Sequence, residues 1–589
     1  MISLSTFQAV SRLSPRMIGY HLKRLARNKL APRRPEHYAR RIDRLAAGVP
    51  KLAPGSLSAQ SPAASMAQAV AAFYREEYRD HIDDAARGRF SFFGQEVDFG
   101  GPASIDWHHT VAAENDFHLW RMKLAHMGFI CPMLIDGETL HHEAVAEMLA
   151  GYRAEARFDR PGCFSSYWFP YSVSHRILAV LSGYLIARRQ DTLPAALCDD
   201  IEQFLRWNVA FVEENIEHEL KNNHVERNLA ALCFYYTHAE DVPPGLKRKL
   251  DRDVAGIIHA CILPDGLLAE RSAMYQGLSV MALQVFSQTP FLSEKTRGLA
   301  AERLERAKRA WSFMTHPDGE IALFNDSWFG EVPPAHSVIE PARFNASELL
   351  PQAGYARLAD GGIFALLDAG PIGPRWNPGH GHADFLSAEI DVAGLRFVAD
   401  PGTYQYSTGP RRMYERSAQS HNGPSCKGLE PVSYYGCFRV GRLAEARLVE
   451  AEATDGRAVA GELQLPDGLK LRRELQLIPN GLAATDRWQG ACTGPRVRLT
   501  IPREWEVSDR DQREVVFLRE DVRVRLEVLR GRIADLSTGQ WAFRYLKSSD
   551  AHILVLEPEE TPGGADLSWR ITHQINVAAS TESASVSAS

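Results

Sequence analysis

Between Pro378 and Asn422 the sequence reads PGHGHADFLSAEIDVAGLRFVADPGTYQYSTGPRRMYERSAQSHN, gathering His380, His382, Asp384, Asp400 and His421 in one span. Imidazole and carboxylate are the side chains that move protons or hold divalent metals near neutral pH. A His-Gly-His followed by Asp-Pro-Gly and then His-Asn, on segments with strand-like alternation, points to a site rather than to scattered histidines.

Two earlier stretches carry similar chemistry. In ENIEHELKNNHVERNLAALCFYY a helix ends and another begins at Asn222, Asn223 and His224. Asn223 followed by Glu226 matches an N-cap with its capping-box partner; alternatively, the amide and imidazole face a cavity. In LPDGLLAERSAMYQGLSVMAL, Tyr275 opens a helix beside Glu270, Arg271 and Ser272. A cation near a phenol favours phenolate and hence proton transfer, whereas a buried, hydrogen-bonded tyrosine is the structural alternative. Aromatic residues with arginine forks, Trp107 and Trp120 with Arg121, then Trp168 and Tyr171 with Arg176, suit stacking on sugar rings and pairing with sugar carboxylates or sulfates. The same aromatics at helical spacing would serve a core. Pro170 argues for a loop there.

The elements that must position these groups fall in two blocks. From about 66 to 340, segments near 66–86, 140–156, 172–189, 197–220, 224–239, 244–262, 273–288 and 293–315 place apolar residues three and four apart, with Pro, Gly or Asn between them. Many helices of similar length on short loops predict hairpins stacked into a solenoid or closed toroid. From roughly 345 to 577 the pattern alternates with period two, as in LKLRRELQLI and AHILVLEP, which predicts an antiparallel β-sandwich. Residues 1–60 form a basic arm carrying Arg12, Arg16, Lys23, Arg24, Arg27, Lys29, Arg33 and Arg34. It either touches an acidic polymer or membrane surface or packs its apolar side on the next domain. KLAPGSLSAQSPAASMAQ reads as a linker, and residues 578–589 as a disordered tail.

Bulk properties narrow the function. The chain has 589 residues, 45% apolar and 24% charged, so it can bury a large core in two or three domains. A net charge of −6 implies no general affinity for nucleic acid. The eight cysteines show no metal or redox spacing, and the expectation is mostly buried, reduced thiols without a disulfide framework. No apolar run approaches the roughly 20 residues of a membrane helix, and no secretory h-region is recognisable at the start. The expected location is cytoplasmic, with periplasmic placement or export as the alternative.

Taken together, the Asn-Asn-His helix start, DG…ERSAMY, HPDG…FNDS and HGHAD…DPGTY…HN resemble the heparinase II/III family of polysaccharide lyases. The resemblance spans nearly the whole chain, and its last motif is the specific one. It implies an incomplete (α/α) toroid followed by an antiparallel β-sandwich, and β-elimination at a uronic acid of an acidic polysaccharide. Asn223 would then hydrogen-bond the substrate carboxylate, and Tyr275 would act as base or acid with His224 and His380 as partners. Trp107, Trp168, Tyr171, Arg176, Arg271 and Arg416 would line the substrate path. His382, Asp400 and His421 would hold a structural divalent metal, for which a His₂Asp set suits Zn²⁺. If Ala393-Gly394 make a two-residue hairpin turn, simple register puts Asp400 opposite Ser387, roughly 17 Å along the strand from His382 at about 3.4 Å per residue. The metal set therefore requires a bend before Ser387, at Gly381 or Ala383. The chain departs from the family at Gln276, at Arg227 and at Gly423-Pro424. Two other readings compete: a glycoside hydrolase using carboxylates among Glu214, Glu270 and Asp326, and a non-catalytic glycan-binding or exopolysaccharide assembly protein.

Overall fold

In the computed structural model, residues 4–53, 62–339, 346–453 and 456–575 are described. Residues 54–61 of the expected linker and the whole tail lie outside them, and the end of the linker sequence, from Pro62, begins the helix Pro62–Tyr78. The periodic segments fold as helices Thr139–Glu155, Pro170–Gln190, Ala195–Glu214, Asn223–Thr237, Pro244–Cys261, Ala273–Gln288 and Glu294–Phe313, close to their expected bounds. Pro170–Gln190 is buried on every face from Pro170 to Ala187. A helix of that character belongs in the middle of a bundle. It packs on Pro62–Tyr78, Ile130–Asp136, Ala195–Glu214 and Asn223–Thr237, and the helices assemble as the incomplete (α/α) toroid. Pro170 does not mark a loop but the first residue of this helix, where its missing N–H costs nothing.

The basic arm folds as helices Leu4–Val10, Pro15–Leu30 and Pro35–Ala47. It turns Met17 and Ile42 inward and pairs with the toroid through Arg24–Glu219 (3.0 Å) and Arg41–Glu214 (2.9 Å). A short hairpin, Arg89–Phe92 with Gln95–Asp98, and the helix Leu119–His126 lie between the periodic segments near 66–86 and 140–156.

The second block is antiparallel in every ladder and builds three sheets of five, nine and four strands among the described residues. The five-stranded sheet, from Glu348–Leu350 to Leu395–Val398, borders the toroid. Its Tyr355, Phe364 and Leu366 belong to the same apolar cluster as the toroid core. His316 at the toroid's last turn clamps this seam, with Nδ1 2.8 Å from Asp391 and Nε2 2.8 Å from Glu389. Burial and Arg396 oppose a charge on that imidazole, but the two carboxylates prevail and raise its pKa to about 9. The hairpin 388–398 turns at Ala393 and Gly394, both left-handed (φ 53° and 82°), as the two-residue reading requires.

One thiol expectation fails. Cys426 and Cys492, 66 residues apart, form a disulfide between the strand Pro424–Cys426 and the loop after Gln489. Their spacing gave no sign of it, because strand pairing, not sequence proximity, brings them together. Cys131, Cys163, Cys198, Cys233 and Cys261 are buried free thiols, and Cys437 is free and half-buried.

Candidate active site

The helix Asn223–Thr237 starts at the seam and presents two groups there. Its cap is Asn222, whose side chain accepts from the His224 N–H (3.1 Å). Asn223 is therefore not the cap, and Glu226 is no capping-box partner, since it accepts from Ser279 deep in the toroid. Freed from capping, Asn223 donates its backbone N–H and its Nδ2 to the two oxygens of Glu270, both at 2.9 Å. That carboxylate fixes which end of the amide is nitrogen. Asn223 Oδ1 is buried without a partner. His224 accepts a defined orientation from Glu217, 3.1 Å from its Nδ1, and lies against the Tyr171 ring at 4.4 Å. Nε2 is left for a ligand.

Ser272 caps the helix Ala273–Gln288 through the Tyr275 N–H, and its hydroxyl donates to the Asp326 carbonyl at 2.7 Å. The Tyr275 hydroxyl is 3.0 Å from that of Tyr406, in the TYQY part of the opening motif, and the His380 ring centre is 4.4 Å from its own. Burial holds the Tyr275 phenol well above its ordinary pKa, with Tyr171 adding to the shift. The group is a neutral phenol at neutral pH. His380 sits between two carboxylates, Nδ1 3.0 Å from Asp326 and Nε2 3.5 Å from Glu270. Glu270 thus touches both Asn223 and His380, joining the toroid's groups to the β-domain's. Tyr406 and Phe438 close over the imidazole, which is 7% exposed, and Phe117 packs against both of those rings.

Asp326 is the anchor beneath. Arg412 grips it with both guanidinium nitrogens, one at 2.8 Å, and His382 Nε2 lies 2.9 Å away. Burial opposes its charge, but Arg412 and the two histidines hold its pKa well below the carboxylate range. Asn325, left-handed at φ 58°, accepts from the His382 N–H on its side-chain Oδ1 and donates its backbone N–H to the Asp384 carboxylate. Arg271 (φ 60°) and Leu386 (φ 60°) are left-handed nearby, and such sterically costly backbone gathers where structure serves a site.

The bend required before Ser387 is present. Gly381 passes so close to Ile372 that a Cβ would lie 2.1 Å from its carbonyl oxygen, and residues 380–387 turn back as a loop before the strand Ala388–Val392. Asn422 ties the returning strand by donating to Ala388 and Ala399 carbonyls. Of the implied set His382, Asp400 and His421, the last two cluster with Asp384. Asp384, Asp400 and His421 bring one donor atom each within 4.8 Å of one another, all buried, whereas His382 spends Nε2 on Asp326. His421 Nδ1 is 2.8 Å from Asp400, while His421 Nε2 and His382 Nδ1 are buried and unpartnered in rings 5.4 Å apart. Two carboxylates, one imidazole and orphaned ring nitrogens fit a divalent ion.

Of the six residues expected along the substrate path, Tyr171 alone stays beside the reacting groups. Trp107 packs edge-on to Tyr152, and Trp168 stacks on Phe158 with its indole N–H on the Ala156 carbonyl. Arg176, fully buried, bonds Ala125 and Tyr167 carbonyls and Asn208. Arg271 and Arg416 likewise spend their guanidinium groups on backbone carbonyls, Arg416 on Gly379 and Gly381 of the His-Gly-His loop. Trp107 is core packing, and the other four are struts, because buried carbonyls at helix and loop ends need donors. Gln276 is similar glue, bonding Gly266 and Ala307. Sequence reading did not find Glu217, Tyr406 or Arg412. Only Tyr406 had a signal, its place in the DPGTYQY motif.

Residues 343–585 match the family model "Heparinase II/III-like, C-terminal". Among solved structures, a heparinase III superposes with a TM-score of 0.63 at 14% identity, covering 98% of this chain and 94% of that one. A heparan sulfate lyase from Pedobacter heparinus, in a mutant form, gives 0.57 at 15% identity, covering 85% and 83%. No curated protein matches the sequence. These likenesses agree on one architecture, a helical toroid followed by antiparallel sheets, and residues 343–585 carry a heparinase II/III-like C-terminal domain.

Proposed function

We propose that the protein is a polysaccharide lyase that cleaves a uronate-containing acidic glycan by β-elimination. The observation that carries this reading is Asn223. Its amide keeps one unused N–H and an unpartnered carbonyl, the pair that matches the C=O and O–H of a protonated carboxyl group. A uronate that takes up a solvent proton as it binds there is neutral, and its C5 proton becomes more acidic. His224, with Nδ1 turned to Glu217, takes that proton on Nε2. The C5 electron pair forms the C4–C5 double bond as the C4–O bond breaks. Tyr275, a phenol with its proton in place, protonates the departing oxygen. His380, between Asp326 and Glu270, positions the Tyr275 ring and closes the floor of the site. The fold shared with a heparan sulfate lyase supports an acidic glycan as substrate.

The hydrolase reading lacks its pair of free carboxylates. Glu214 is taken by Lys23 and Arg41, and Asp326 by Arg412. Mass balance decides between them: elimination gives two products whose masses sum to the substrate, whereas hydrolysis gives a sum one water heavier.

We further propose that Asp384, Asp400 and His421, with His382 Nδ1 beside them, hold a structural Zn²⁺. When bound, the ion would cross-link the His-Gly-His loop to the strands carrying Asp400 and His421. Elemental analysis of the purified protein is expected to show about one equivalent of metal, and His421→Ala to lose it together with thermal stability. Metal-free wild-type protein with unchanged melting after chelation would remove the site.

A further inference from the structure

The arm helices Pro15–Leu30 and Pro35–Ala47 do not close fully on the toroid. They leave a cavity of about 780 Å³ against residues 213–219, a volume within the range of small-molecule sites. The arm lines it with Lys23, Arg24, Arg27, Arg33, Arg34 and Arg41, and the toroid with four glutamates. Those acids are largely engaged. Glu214 takes Lys23 and Arg41, Glu219 takes Arg24, Glu213 accepts from Tyr236, and Glu217 faces His224 and Asn228. Arg33 and Arg34 are exposed at this cavity and have no acidic partner among the described residues. Tyr20 and Tyr38 add aromatic surface. The cavity also adjoins the reacting groups, because Glu217 lines it while orienting His224, and the wall 213–219 runs on to Asn222 and Asn223.

We infer that the N-terminal arm builds a second, non-reacting subsite, in which Arg33 and Arg34 pair with sulfate or carboxylate groups on sugar units beyond the cleaved bond. This rests on the acidic-glycan reading above. The free cations are Arg, whose planar fork matches both anions bidentately. A chain held at both the reaction centre and the arm gains affinity without new chemistry.

The test is direct binding, so that it does not depend on turnover. A size-defined heparan sulfate octasaccharide is titrated calorimetrically into full-length Tyr275→Phe and into the same chain with Arg33→Ala and Arg34→Ala, between 50 and 200 mM salt. The added substitutions are expected to weaken binding about five- to ten-fold and to flatten its salt dependence. Charge reversal, Arg33→Glu with Arg34→Glu, is expected to weaken it further, with circular dichroism and melting unchanged. Equal affinity and salt dependence in all three proteins would overturn the subsite. So would arginine-dependent binding to phosphatidylserine vesicles without glycan binding. Arginine-dependent glycan binding by a wild-type protein that forms no unsaturated product would keep the subsite and remove the elimination reading. Elimination with arginine-independent binding would do the reverse.

Discussion

Tyr275→Phe is expected to lower the elimination rate by about 10²- to 10⁴-fold, the range for losing a positioned proton donor, while the protein folds normally. The substitution removes one oxygen from a side chain whose ring packing against His380 is retained. Among the described residues the hydroxyl loses one hydrogen bond, to Tyr406, and such a bond contributes about 1 kcal/mol. The loss should fall on kcat with KM little changed, because the phenol acts on the leaving oxygen in the transition state rather than on bound substrate. Tyr406→Phe separates proton donation from packing. It removes the same bond from the other side, leaves the acid in place, and should cost far less than Tyr275→Phe. Full activity in Tyr275→Phe would move the acid to another residue.

The second large effect is structural. Arg412→Met should destabilise the protein by about 3–5 kcal/mol, the range for stranding one member of a buried ion pair. Arg412 and Asp326 are fully buried, and Asp326 also holds His380 and His382. Without the guanidinium, the carboxylate keeps two imidazoles and the Thr403 hydroxyl, and its low pKa loses its main cause. Thermal unfolding should show a clear drop. Arg412→Met combined with Asp326→Asn should recover part of the stability, since the stranded charge goes with its partner. Activity should stay low, because His380 and His382 lose the anion that orients them. Equal melting of Arg412→Met and wild type would mean that the pair does not anchor the site.

The sequence was legible where local chemistry dictates structure. Helix periodicity placed the long toroid helices, the period-two runs placed the strands, and Ala393-Gly394 placed the hairpin turn that made a bend near Gly381 necessary. Tertiary neighbours decided the rest. Asn223 resembles a cap by spacing, and only the fold shows that Asn222 caps while Glu270 takes the Asn223 amide. Trp168 and Arg176 have the composition of a sugar platform, but they sit at the start of a helix buried on all sides. His382 and Asp384 are two residues apart, and which one joins Asp400 and His421 depends on Asp326, 56 residues before His382. Glu217 and Arg412 look like ordinary surface charges in sequence. The Cys426–Cys492 bridge and the cavity beneath the arm likewise arise from long-range packing.

The central claim is that this chain eliminates rather than hydrolyses. Its most direct test follows the ultraviolet absorbance of the C4–C5 unsaturated uronate while the purified wild-type protein, supplied with zinc, acts on heparan sulfate, hyaluronan, alginate and a bacterial capsule polymer. The account predicts a rise on at least one of these glycans, absent with Tyr275→Phe. Shortened chains without the chromophore, or no change on any acidic glycan, would contradict it.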